Sequence, residues 1–444
     1  MLGRPFFMAL RICYFQAMPR LVLPLLFACL FSAPISAQLD PDAPDKRDIK
    51  MLMAEYRKLD KRDADDFARA VKIVNRLESV KLDRPSDVKK WRKDLAKADA
   101  KYGRKLEKKS GSHYYFDDPK NGLFILGGDT KKPKGLVICM HGGGLGSGDA
   151  NNMVGPMSSP ANSLDWLAIF PEVLEKTERG WTDSGTEEWV VDLIDEALRT
   201  WKIDPNKVYL SGHSMGGYGS WTLGAHHADR VAALAPSAGA PTPAYGPDGT
   251  IVEVDQGVVP NLRNVPMIVF QSTDDPRVPP DANQAAVKDV EKFKDLYGGY
   301  ENFTYWEVTD RQHQFPVGGM EVLMEKMNAF ERQAIQDKIV WQPTLDWKHQ
   351  MGWLWWETPV MTLITVAERL PESNTIAIES KADLSTLYVL LDERVVDMEK
   401  EVIITVNGEE TNRGIPQPTL GAMFLTGNTP DPERVFVARM KVLK

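Results

Sequence analysis

The chain has 444 residues, 62 acidic against 54 basic side chains for a formal charge of −8, and 43% hydrophobic residues. That length admits two or three domains, and the apolar share fits a globular protein with a real core. The acidic balance argues against nucleic acid as a partner, and it deepens if Arg4, Arg11 and Arg20 are removed with the N-terminus.

The first residues read as an export signal: Arg20, an apolar run over 21–31, then Ser36 and Ala37 before Gln38. The run is too short, and too broken by Pro24 and Pro34, for a stable membrane span in the mature chain. Translation starting at Met18 in place of Met1 would give a more compact positive region. Cys29 loosely matches a lipoprotein box, an alternative that would leave an anchored protein. Cleavage after Ala37 would leave Cys139 of the three cysteines, so no disulfide forms within one chain, and its apolar surroundings predict a buried strand residue. The expected destination is the periplasm or the outside of the cell.

After an Asp- and Pro-rich leader, residues 47–109 have a helical pattern. Phe67, Val71, Val74 and Leu77 share one face, Asp83-Arg84-Pro85-Ser86 breaks it, and Val88, Trp91, Leu95 and Ala98 share the next. Mixed charges on the other faces predict solvated helices packed on the rest, with a lid or a partner-binding arm as the alternative. From His113 the rhythm changes to short apolar runs between helical stretches, which predicts a mostly parallel sheet with helices on both faces. The expected strands are 113–116, 123–126, 136–140, 166–170, 208–211, 231–234, 267–271 and 303–308, and residues 187–201 form the clearest helix. Alternating runs at 375–379, 386–391, 402–406 and 435–442, with Asn407-Gly408 as a hairpin turn, predict a small β-sandwich at the C-terminus. The expected division is a signal over 1–37, a helical segment over 38–110, a catalytic domain over 111–338 and a β-rich accessory domain over 339–444.

The chemistry centres on Gly212-His213-Ser214-Met215-Gly216, which follows an apolar strand and precedes a helical segment. A serine on such a turn sits in strained backbone, and glycines two residues away on each side remove side chains that would collide. Ser214 is therefore the expected nucleophile. Its hydroxyl needs a general base, and the base needs an orienting carboxylate. Of the seven histidines, His113 precedes the sheet core, His141 starts a glycine run, His213 is expected to point away from the serine, and His226-His227 lie in the following helix. When acid and base follow the serine on later loops, His313 and His349 remain. His313 comes directly after the strand over 303–308, where the last sheet strand would deliver it. For the acid, the strand over 267–271 runs into Ser272-Thr273-Asp274-Asp275, and both aspartates are candidates.

His141-Gly142-Gly143-Gly144 resembles the HGGG oxyanion loop of lipases and esterases. With Ser214, His313 and the acid loop in that order, residues 113–335 resemble a secreted α/β-hydrolase of the prolyl oligopeptidase, dienelactone hydrolase and polyhydroxybutyrate depolymerase-like group. Ala235-Pro236-Ser237-Ala238-Gly239 resembles a segment common in these esterases, while Ser272 stands where that group usually has glycine. The resemblance implies Asp275 as the acid, because two residues and then Val278-Pro279 follow it. Asp274 is then left to cap the turn. It also implies an oxyanion hole from the N–H of Gly142 or Gly143 and that of Met215, and acyl transfer through an acyl-enzyme. No H-E-x-x-H, paired Cys/His spacing or dinucleotide fingerprint points to a metal or cofactor.

The expected reaction is hydrolysis of a small-molecule or polymer carboxylic ester, since no repeated propeller precedes the first strand as in prolyl oligopeptidases. A serine peptidase is one alternative, and a carbohydrate- or polymer-binding protein with an inactive hydrolase domain is another. Five of the twelve tryptophans fall within residues 341–356, either as a sugar-stacking surface or as core. Trp181, Asp183 and Trp189 are candidates for the substrate pocket.

Overall fold

The computed structural model describes residues 44–116 and 121–443. The expected signal over 1–37, Cys13 and Cys29 lie outside the described residues. No described helix is long and apolar enough to cross a membrane.

The central sheet has eight strands: β1 (Gly111–Tyr114), β2 (Leu123–Gly128), β3 (Gly135–Met140), β4 (Trp166–Pro171), β5 (Val208–His213), β6 (Ala233–Ser237), β7 (Met267–Ser272) and β8 (Phe303–Val308). Their spatial order is β1-β2-β4-β3-β5-β6-β7-β8. The first two join antiparallel, and all pairs from β4 to β8 run parallel. This is the α/β-hydrolase arrangement. The continuous apolar run of β3, fully buried at every position, is what a parallel strand covered on both faces requires.

Alternation sends its side chains to opposite faces. Leu136, Ile138 and Met140 join a core with α5 (Thr186–Trp201). Val137 and Cys139 join another with α4 (Asn151–Ser163) and α8 (Gly319–Met327). Cys139 is fully buried, and burial pushes its thiol up well above the usual range.

Two strands of this sheet begin two residues away from the sequence reading. The first lies over 111–114, two residues earlier than expected, where it pairs in register with β2. The sixth starts two residues late and continues through Pro236 to Ser237. Its ladder to β7 is interrupted there, with only Leu234 and Ser237 paired, and so it accommodates a proline without an N–H to donate.

The N-terminal helices are α1 (Lys46–Tyr56), α2 (Ala64–Leu77) and α3 (Pro85–Tyr102). Val74 and Leu77 pack with Leu420, Met423 and Phe424 of α9 (Leu420–Thr426). Arg62 pairs with Asp192 of α5, and Arg199 of α5 pairs with Asp99 of α3.

The C-terminal region holds two sheets. One is ordered β9-β12-β13-β15-β16: Lys338–Trp341, Thr365–Leu370, Thr375–Ser380, Val402–Val406 and Glu409–Gly414. The other is ordered β10-β11-β14-β17: Gln350–Met351, Leu354–Trp356, Leu387–Leu391 and Ala438–Lys441. Asn407 and Gly408, both at positive φ, turn β15 into β16. Trp341, Trp353, Trp355 and Trp356 are buried and belong to the core shared with α5. Of the cluster, only Trp347 is part-exposed.

Two imidazoles, His227 buried and His349 half-buried, predict a pH dependence of stability. Burial pushes His349 down to about 4, and its Nδ1 lies 3.0 Å from the Trp356 carbonyl, which it meets as a donor. His227 is also held down by burial, next to Glu187. A histidine whose folded pKa lies below its unfolded value of about 6.5 stabilises fully above that value and progressively less as pH falls towards the folded pKa. The urea midpoint should therefore hold steady above about pH 7 and fall steeply between about pH 6.5 and 4. A midpoint that stays flat across that window would contradict the burial.

Candidate active site

The site forms at the carboxyl ends of β3, β5, β7 and β8, where an open parallel sheet presents its loops. Ser214 stands between β5 and α6 (Met215–His226) with φ 61° and ψ −125°. A non-glycine residue held there stores about 1–3 kcal/mol, so the surroundings must enforce it. They do so through hydrogen bonds: its N–H donates to the Ser237 carbonyl at 2.9 Å, and its own carbonyl accepts from Gly217 at 2.7 Å and Tyr218 at 3.1 Å. The flanking glycines are sterically required. A Cβ at Gly212 would lie 2.4 Å from the Gly216 carbonyl oxygen, and one at Gly216 would lie 2.1 Å from that of Met140.

The acid and histidine loops leave adjacent strands in register, with Ser272 of β7 opposite Val308 of β8. His313 places Nε2 2.9 Å from Ser214 Oγ and Nδ1 2.7 Å from Asp275 Oδ2. Asp275 Oδ1 accepts from the backbone N–H of Arg277 at 2.9 Å and of Val278 at 3.0 Å. With its side chain fully buried and acting only as an acceptor, Asp275 fixes the tautomer that leaves Nε2 free to accept from the serine hydroxyl. Asp274 has a different place. Its Oδ1 accepts from Ser272 Oγ at 2.5 Å and from the Gln312 N–H at 3.0 Å, tying one loop to the other, and these donors hold its carboxyl below the usual range. His349, the other candidate base, is stacked on Phe67 with ring centroids 3.8 Å apart, away from Ser214.

Gly142 packs against the serine: a Cβ there would lie 3.0 Å from Ser214 Cβ. Met215 is the first residue of α6, so its N–H has no acceptor within the helix and points with the positive end of the dipole. Among the described residues, the N–H groups of Gly142 and Gly143 donate to no backbone carbonyl. The loop is held from below by His141, which is buried and whose pKa is lowered by that burial. Its Nε2 accepts from the Val173 N–H at 3.2 Å, its Nδ1 lies 2.9 Å from the Gly142 carbonyl, and its own carbonyl accepts from Trp181 Nε1 at 3.0 Å.

Ser214, Gly142, Gly143, Met215 and His313 line one cavity of about 970 Å³, with Trp181, Tyr218, Arg277 and Phe315 among its walls. No described residue of the N-terminal helices or the C-terminal sheets lines it. Of the three pocket candidates only Trp181 does so. Asp183 accepts from the Thr177 hydroxyl, and Trp189 is buried among Tyr115, Phe116 and Phe124. His213 also differs from expectation. Instead of turning away from the site, it packs on the ring of His313 at 4.8 Å between centroids, places Nδ1 3.0 Å from Ser237 Oγ, and is pushed down to about 4 by burial and then by His313.

Several supporting residues carry no sequence signal. Gln271 donates to the carbonyls of Ser272 at 2.9 Å and Val278 at 2.8 Å, bracketing the acid loop. Its own Oε1 accepts at 2.9 Å from Asn283 of α7 (Asp281–Tyr297). Arg311 spans the histidine loop by donating to the Phe315 carbonyl at 2.8 Å.

No protein-family model matches the chain. It is 39% identical over 61 residues to a bifunctional acetylxylan esterase/xylanase from Neocallimastix patriciarum, a stretch that is 13% of this chain and 9% of that protein. The chain thus spans less than a tenth of this curated relative. Similar solved structures include a thermostable esterase (20% identity, half of this chain and 63% of that one, TM-score 0.38). An acetyl xylan esterase from Aspergillus awamori is 13% identical, with 49% of this chain and 98% of that one covered, at TM-score 0.37. A poly(3-hydroxybutyrate) depolymerase from Bordetella parapertussis is 16% identical, with 49% and 87% covered, at TM-score 0.35.

The two neighbouring aspartates make separable predictions. Asp275→Asn should lower turnover by about 10⁴-fold, because an amide in its place favours the wrong histidine tautomer. Asp274→Asn should stay within about tenfold of wild type, since it touches the loop and not the imidazole. Steady-state kinetics on both variants checks this, and the reverse ordering would move the acid to Asp274.

Proposed function

We propose that the chain is an exported serine hydrolase that cleaves carboxylic esters through an acyl-enzyme on Ser214, with His313 as general base and acid and Asp275 as its orienting carboxylate. One observation carries the reading: an imidazole within hydrogen-bonding distance of both a strained, cavity-facing serine hydroxyl and a buried carboxylate.

In the first half-reaction Ser214 Oγ attacks the ester carbonyl carbon and passes its proton to His313 Nε2. The carbonyl oxygen becomes an oxyanion, held by the N–H of Met215 and that of Gly142 or Gly143. A single donor of this kind is worth about 3–4 kcal/mol of transition-state stabilisation. As the C–O bond breaks, the alcohol takes the proton from Nε2 and leaves. Water then attacks the acyl-enzyme, giving its proton to Nε2, and collapse of the second intermediate returns that proton to Ser214 and frees the acid.

Support for an ester over a peptide comes from the short stretch of identity, which lies in a protein whose name includes an acetylxylan esterase. The basic residue, apolar run and small residues before Gln38 support export.

The test is a panel of p-nitrophenyl esters of increasing acyl length beside proline-containing peptide anilides, on wild type and Ser214→Ala. Ester turnover in wild type should drop by about 10⁶-fold in Ser214→Ala, to the level left by binding and the oxyanion hole. Turnover confined to the peptides would overturn the ester assignment. Equal ester turnover in both proteins would overturn the nucleophile.

A further inference from the structure

A second cavity, of about 260 Å³, shares no lining residue with the catalytic one. It lies where α2, α5, the segment after α6 and the C-terminal region converge. Phe67, Trp347 and Trp355 give it an aromatic wall, while Arg230, Lys348 and Arg434 give it a cationic floor. Lys61 and Arg62 stand on the part-exposed side, with the Arg62 guanidinium 5.2 Å from the Trp347 ring.

Each carboxylate around this cavity faces a cation, although Asp229 Oδ2 accepts no hydrogen bond among the described residues. Asp229 takes Lys348 at 2.6 Å and Arg434 at 3.1 Å, Asp195 takes Arg230, and Asp192 takes Arg62 at 2.8 Å. Behind the floor Asp431 takes Arg332 at 2.7 Å, and Glu187 lies within 3.0 Å of both His226 Nδ1 and His227 Nε2. The donors, by contrast, are in surplus. A lysine ammonium has three N–H groups and a guanidinium five. Lys348 nevertheless makes one side-chain hydrogen bond, as does Arg230, and buried Arg434 Nε has no acceptor among the described residues. Lys61 Nζ donates one hydrogen bond, to the Leu59 carbonyl at 3.2 Å, and lies 4.5 Å from the centre of the Tyr56 ring.

Buried donors normally find acceptors, and buried cations normally find full compensation. A purely structural ion cluster would close around its charges, whereas this one leaves a void beside them. The missing acceptor has a matching chemistry: guanidinium and ammonium groups at one end select a planar oxyanion, and aromatic walls select a ring. The volume suits one six-membered ring with its substituent, at the small end of ligand sites.

We propose that this cavity binds a small six-membered-ring carboxylate, with the carboxylate accepting from Lys348 and Arg434 and the ring lying against Trp347 and Trp355. The shared chemistry admits two sources, a uronic acid and an aromatic acid. None of these residues takes part in ester hydrolysis, so the site stands independently of the esterase reading.

Isothermal titration calorimetry on the full Ser214→Ala chain tests it, with glucuronate and 4-hydroxybenzoate as probes, glucose and phenol as their neutral counterparts, and inorganic phosphate as a generic anion. At least one acid should bind with one-to-one stoichiometry and at least roughly tenfold more tightly than its neutral counterpart and phosphate. Which acid binds identifies the source. Arg434→Met should abolish that binding, and Lys61→Met and Trp347→Ala, at the part-exposed side, should each weaken it by about threefold or more. The two part-exposed variants decide the matter if Arg434→Met does not fold. No saturable binding of either acid, equal binding of phosphate, or unchanged affinity in Lys61→Met and Trp347→Ala would overturn the proposal.

Discussion

The backbone of Ser214 is the constraint on which the rest of the molecule depends. Its φ of 61° is unfavourable for any residue with a side chain, yet it lifts the hydroxyl out of the sheet and brings the first N–H of α6 beside it. Neither effect survives unless β5 is fixed between β3 and β6 and the helix is fixed above them. The glycine contacts state the tolerance. At Gly212 and Gly216 a single added carbon would lie within 2.4 Å of neighbouring carbonyl oxygens. The large, dry two-sided core is thus what keeps one serine in a conformation it would leave if free.

The strand order then does the positioning. Because β3, β5, β7 and β8 all end on one edge, the Ser214 turn and three loops far apart in the chain meet there. Each loop is locked before any substrate arrives: the acid loop by Gln271 and Asn283, the histidine loop by Arg311 and Asp274, and the glycine loop by His141 and Trp181. In the proposed reaction such locking would keep reorganisation small, which is where most of the benefit of a preformed oxyanion site lies. The N-terminal helices and C-terminal sheets take no part in lining this cavity. They thicken one face of the sheet and, at their junction, enclose a separate cavity lined by aromatic rings and cations.

Local rules made part of this legible. Gly212 and Gly216 announce the turn, a continuous apolar run announces β3, and Asn407-Gly408 announces a hairpin, because each depends on residues within a few positions. The carboxylate that meets His313 was only half legible. Asp274 and Asp275 are chemically equal in sequence, and what separates them is which carboxylate faces His313, 38 residues further on. Trp189 and Asp183 misled because nearness in sequence to a pocket loop says nothing about the face a side chain takes. The continuation of β6 through Pro236 was not legible, because the broken pairing that tolerates a proline there involves the neighbouring strand. The Asp229–Lys348 pair, 119 residues apart, and the Nε of Arg434, which has no acceptor among the described residues, have no local signature at all. Long-range packing alone creates them.

The most direct measurement of the central claim is intact-protein and peptide mass spectrometry after treatment with diethyl p-nitrophenyl phosphate, which phosphorylates a serine only where base and oxyanion donors act together. The account predicts a single diethylphosphoryl adduct on the peptide containing Ser214, formed with release of one p-nitrophenol. An unmodified protein, or an adduct confined to another residue, would contradict it.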